Sequence, residues 1–115
     1  MSMSSRNPGD RVGAMSHADQ TTVHMFGYGV FLGDLLCPVG PFGTTLDEYR
    51  AASLRLGLGE PPPYTNPCIR LDDGRYVWGH ECWWCSEKGI RETINGRVVV
   101  AADPSNLAPL ELPNP

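Results

Sequence analysis

Three features of the sequence predict a small α+β fold. A capping box opens an apolar-patterned stretch at Thr45, an Asp73-Gly74 dipeptide separates two strand-like runs, and Asn95-Gly96 does the same further on. Together they predict an antiparallel sheet of about four to five strands. The sheet is built on β-hairpins at 68–85 and 90–101, and one helix at about 46–56 packs on one face. A partly closed all-β barrel is the alternative architecture.

Taken in order, residues 1–20 carry no apolar period and read as a flexible N-terminal tail. A single α+β domain over 21–102 follows. Thr21 to Leu32 is β-branched and aromatic, which predicts a strand over about 22–28, and Gly27 and Gly29 mark a bulge or a close backbone approach. The Pro and Gly of Cys37 to Gly43 forbid regular structure, so that stretch is a loop. Thr45 then caps a helix, with Glu48 completing the box and Asp47 and Glu48 complementing the helix dipole. Leu46, Tyr49, Ala52, Leu54 and Leu56 form its apolar face, and Gly57 stops it. Gly59 to Pro67, with Pro61-Pro62-Pro63-Tyr64, is extended or polyproline II.

Both Asp73-Gly74 and Asn95-Gly96 suit two-residue type I′ turns. Such a turn sets Leu71 opposite Tyr76, Ile69 opposite Trp78 and Pro67 opposite His80, all on one side. The strand Arg75–Cys85 then carries Tyr76, Trp78, His80, Cys82 and Trp84 on a single face. Residues 103–115 form a Pro-rich C-terminal tail, in which Leu107, Leu110 and Leu112 can pin the chain across the body or serve a partner.

Composition narrows the function. The chain has 115 residues and a mass of 12.6 kDa, enough for one domain. Lys and Arg number 9 against 13 Asp and Glu, a net charge of −4, which argues against direct nucleic-acid binding through phosphates. No run approaches the roughly 20 apolar residues of a spanning helix, so no membrane role is expected. Met1 to Gln20 lacks the apolar core of a signal peptide. The four cysteines, Cys37, Cys68, Cys82 and Cys85, are therefore expected to be reduced and the protein cytoplasmic.

The densest chemistry lies at His80-Glu81-Cys82-Trp83-Trp84-Cys85. His80, Cys82 and Cys85, with Cys68 or Cys37 as a fourth ligand, are a zinc alternative. Residues three apart on a continuous strand point to opposite faces about 10 Å apart, which opposes a shared tetrahedral ion. No cofactor is the primary expectation. A redox role for the Cys pair would need the first thiol at a helix N-terminus, and Ser86 to Gly89 reads as a turn.

Three tryptophans within 78–84 exceed what one side of a small core absorbs, so at least one reaches the surface as an interface anchor. The candidate partner- or ligand-binding residues are Tyr28, Tyr76, Trp78, His80, Trp83 and Trp84. His17, His24 and His80 are the only candidate general bases, and none lies in a nucleophile motif. Tyr28 to Leu32 resembles the YG-loop of γ-glutamylcyclotransferase-like proteins over five residues, without a catalytic acid beside it. Pro61 to Tyr64 matches the PPxY ligand of WW domains, and its alternative is a rigid linker.

These features favour a small acidic, non-enzymatic interaction module, of inhibitor, immunity-like or adaptor type. It would bind a protein partner through a Trp-rich surface. The alternatives are a small-ligand pocket or minor enzyme using the aromatic and His face, and a zinc-binding module. An exposed strand edge in so small a sheet makes a homodimer possible.

Overall fold

The computed structural model describes residues 7–41, 44–62 and 64–110. The chain forms strands β1 (Arg11–Ala18), β2 (Thr22–Leu36), β3 (Thr65–Leu71), β4 (Tyr76–Trp78), β5 (Trp83–Ser86) and β6 (Val98–Ala101), with helices α1 (Leu46–Arg55) and α2 (Glu87–Ile94). The sheet runs β4-β3-β2-β1-β5 with antiparallel neighbours, and β6 adds to β2 in parallel. The α+β class and the predominantly antiparallel sheet are as the sequence predicts. Among the described residues, no helix is long and apolar enough to cross a membrane.

β1 corrects the expectation of a tail over 1–20. It lies inside the sheet between β2 and β5, and Val12, Ala14 and Met15 are buried. Its small residues hide the alternation, because Gly13 and Ala14 carry little apolar signal. Gly13 leaves room for Ile90, whose atoms would lie 2.8–3.0 Å from any Cβ there. At the β1–β2 turn the Asp19 carboxylate accepts from the backbone N–H groups of Thr21 and Thr22, both at 2.8 Å. That Asx-type turn closes the hairpin.

β2 extends eight residues beyond its predicted end at 28. Register shifts interrupt it beside Gly27 and Gly33, whose φ values of +141° and +105° only glycine adopts readily. At Gly29 the absent side chain lets β3 approach closely: a Cβ would overlap the Arg70 carbonyl oxygen and sit 2.7 Å from Leu71 Cα.

The β3–β4 hairpin falls where Asp73-Gly74 places it, but in another register. Ile69 pairs with Val77 and Cys68 with Trp78, not Ile69 with Trp78. Leu71 N–H donates to Arg75 O, closing a three-residue loop in which Gly74 alone has positive φ. Asp73 accepts from Arg75 N–H and avoids the positive φ that a type I′ turn demands. The one-residue slip exchanges the faces. Ile69 and Val77 now point into the core, while Cys68 and Trp78 point to the opposite side.

The long strand over 75–85 is also corrected. β4 ends at Trp78, a 3-10 turn occupies Gly79–Glu81, and β5 begins at Trp83 at the other margin of the sheet. The connection over 79–82 spans at most about 17 Å when fully extended. A flat five-stranded sheet would hold its outer strands about 19 Å apart. The sheet therefore curls, and Val12, Phe26, Phe31, Ile69, Leu71 and Val77 from four strands meet inside it, with Trp84 of β5 against them.

The predicted hairpin over 90–101 is replaced by α2 and β6. Ser86 Oγ accepts from Gly89 N–H at the start of α2, and Gly96 (φ +80°) ends the turn after it. Ile90 and Ile94 fall on one helix face and pack on Met15, Val23 and Met25 outside the curl. The capping box at Thr45 and Glu48 forms as predicted. Yet α1 buries no residue, so it is α2 that covers the sheet.

The tail over 103–110 lies across the β4 side. Trp78 Nε1 donates to Leu107 O at 2.8 Å, Tyr76 N–H donates to Asn106 Oδ1 at 3.0 Å, and Ser105 donates to the Glu81 carboxylate through both N–H and Oγ. Leu107 and Leu110 remain 37% and 56% exposed, so polar contacts do much of the pinning of this stretch. Leu112 lies outside the described residues.

Gly29→Ala is expected to force β2 and β3 apart, costing about 1–3 kcal/mol and lowering Tm by roughly 5–15 °C. Gly74→Ala has open space and only the positive φ to oppose it, costing about 1 kcal/mol. Thermal unfolding followed by circular dichroism checks the order of the two.

Candidate functional site

The surface around β5 is decided by strand parity. Trp84 turns into the curl and stacks on Phe31, with ring centroids 5.0 Å apart. Trp83 and Cys85 therefore face outward. α2 folds back over Cys85, whose Sγ would lie 2.9 Å from a Cβ at Gly89. Trp83, opposite Met15 on β1, escapes this cover and is 75% exposed.

A cleft of about 460 Å³ opens on one side of Trp83, between β1, β5 and α2. Met15 and Ile90 contribute its apolar lining, Trp83, Trp84 and Cys85 its β5 side, and His17 and Thr93 its polar groups. The Thr93 hydroxyl donates to Gly89 O, and the His17 imidazole lines the same cleft. That ring stacks on His24 at 4.0 Å, and its Nδ1 lies 3.1 Å from Ser16 Oγ. A second cleft of about 440 Å³ lies against Trp83 and is lined by Ser16, His80, Glu81 and Cys82. The Trp83 indole thus borders two concavities, the first more apolar in its lining residues and the second more polar.

Compared with protein families, curated proteins and solved structures, the chain matches none.

The predicted site residues divide sharply. Trp83, Trp84 and His80 come together around the two clefts. Trp78 does not: it is fully buried with Cys37 and Cys68, and Tyr76 packs against that cluster. Tyr28 lies with Ile90 in the cluster under α2, its buried hydroxyl without a hydrogen-bond partner among the described residues and the Arg91 guanidinium 4.5 Å over its ring. The single aromatic face fails because the turn at 79–81 resets the alternation. Met15, Ile90 and Thr93 are lining residues that the sequence reading missed. A helical reading of Ser86–Ile94 supplies two of them.

The cysteines are likewise divided. Cys82 packs against the interior cluster and its Sγ donates to Trp78 O at 3.3 Å, whereas Cys85 belongs to the cluster under α2. Cys68 lies in the third cluster. Among the described residues, no group of three or more His, Cys, Asp and Glu comes together as a metal site. Cys82, Cys85 and Cys68 thus lie in three different clusters and are not brought together here. The PPxY tyrosine is engaged as well: Tyr64 tilts against Tyr49 at 5.8 Å and its hydroxyl accepts from Asn66. Pro63 lies outside the described residues.

Burial pushes the Cys68 and Cys82 thiols up to about 12, with the Glu81 carboxylate adding to both and Cys37 to the first. Unfolded thiols lose their protons near 9, so the native state holds more protons above that point. The stability linked to these groups is complete below pH 9 and lost as pH rises towards 12. Iodoacetamide at pH 8 is expected to spare Cys68 and Cys82 in the native protein and to modify both in denaturant. Peptide mass spectrometry reads the difference.

Proposed function

We propose that the protein is a small acidic, non-enzymatic interaction module that docks a protein partner on the ridge formed by Trp83. The observation that carries this reading is the 75% exposure of a tryptophan set between two clefts. A large rigid side chain left in water at this extent is a typical interface anchor. The clefts beside it offer Met15 and Ile90 to an apolar group and His80 to a polar one. The net charge of −4 favours a basic partner over a nucleic acid. The reading places the protein in the cytoplasm, where its four thiols stay reduced.

A second reading has one observation in its favour. The 460 Å³ cleft falls within the range of small-molecule sites, with an apolar lining and a single imidazole. It would take a flat aromatic or apolar ligand.

A photo-crosslinking residue at position 83 is expected to trap one defined protein in the native host. The same residue at Leu54 is expected to trap none. Excess unlabelled protein should compete, and a Trp83→Ala variant should compete at least about tenfold less well, the loss of one hot spot. Equal trapping at both positions would sink the interface reading. A thermal shift with small aromatic compounds, lost in Ile90→Trp, would favour the ligand site instead.

A further inference from the structure

We propose that β6 is a self-pairing edge through which two copies of the chain join their sheets about a two-fold axis. β6 bonds to β2 alone among the described residues, and its own outer edge is bare. Val98 N–H donates to Thr21 O and Ala102 N–H donates to Met25 O. In a parallel ladder the alternate residues, Val99 and Ala101, then aim their N–H and C=O groups away from β2. Val98, Val99 and Val100 are 63%, 49% and 40% exposed, so neither face of the strand is covered. Val98–Ala101 contains no Lys, Pro, Gly or acidic residue, the usual devices that blunt an edge. The β4 side is treated differently, since Asn106 takes up the Tyr76 N–H there.

The occupant is a second copy because the edge complements itself. An antiparallel partner must set outward-facing residues opposite outward-facing residues. With Val100 opposite its own copy, Val99 meets Ala101 of the partner subunit and Ala101 meets the partner's Val99. One further pair follows at each end: Arg97 stands opposite the partner's Asp103. The Arg97 guanidinium is held by Thr93 O at 2.7 Å and has no carboxylate partner among the described residues. The Asp103 side chain is 95% exposed and uses Oδ1 on Arg75. Sliding either strand by two residues sets Arg97 opposite an uncharged residue. Charge complementarity therefore selects this register.

Sedimentation velocity of the full chain from 5 to 500 µM tests the proposal. The expected species at high concentration is a dimer of twice 12.6 kDa. Val99→Pro removes an outward donor and leaves the β2 ladder intact, so it should give a folded monomer. Arg97→Asp and Asp103→Arg should each raise the dimer Kd at least about tenfold by opposing like charges. The double exchange should recover most of that loss, with circular dichroism confirming that every variant is folded. Trp83→Ala should dimerise normally, which separates this surface from the proposed partner ridge. A monomer across the whole range overturns the proposal. So does a dimer indifferent to Val99→Pro and Arg97→Asp, or one broken by Trp83→Ala.

Discussion

The short connection between β4 and β5 is the constraint on which the rest of the structure depends. Two strands at opposite margins of one sheet are joined by the residues 79–82 alone. The sheet has to bend to satisfy them, and bending creates an inside and an outside. Inside, side chains from β1, β2, β3 and β4 meet one another and Trp84. Outside, two separate patches stay apolar, and each needs its own cover. α2 covers one and the crossing tail covers the other. The helix with the better cap, α1, covers neither.

The same connection sorts the tryptophans. A compact turn between β4 and β5 breaks the two-residue alternation, so tryptophans six residues apart no longer share a face. Trp78 goes to the outer patch beneath the tail, Trp84 to the interior and Trp83 to solvent. The exposed Trp83 is thus a by-product of closure: β5 must place Trp84 on Phe31, and its neighbour has nowhere else to point.

Much of this was legible before the structure, and the failures have physical causes. The capping box at Thr45 was readable because a cap is a local hydrogen-bond pattern. The β3–β4 turn was readable in position, since Gly74 supplies the positive φ, but not in type, because the Asp73 carboxylate stabilises a longer loop. β1 was invisible because Gly13 and Ala14 interrupt the apolar alternation between Val12 and Met15. The sequence of α2 reads as a turn over Ser86–Gly89 and a strand over Ile90–Ile94 because Ile90, Thr93 and Ile94 are β-branched, and only Ser86 signals the cap. Asn95-Gly96 suits a hairpin and a helix end equally, and the parallel pairing of β6 with β2 decided between them. For the site, an excess of tryptophan pointed to a surface aromatic, while its identity depended on a tertiary turn.

The crossing tail has a consequence for synthesis on the ribosome. Trp78 sits wholly within the protein, and its indole N–H is satisfied by a carbonyl 29 positions later in the chain. β1 emerges first yet needs β5, and β2 needs β6, which emerges after α2. The nascent chain can close its first hairpin early, with Asp19 at the bend. It cannot finish the outer β4 patch until Leu107 has cleared the exit tunnel. Until then Trp78 and the neighbouring thiols of Cys37 and Cys68 lack the cover that this stretch supplies.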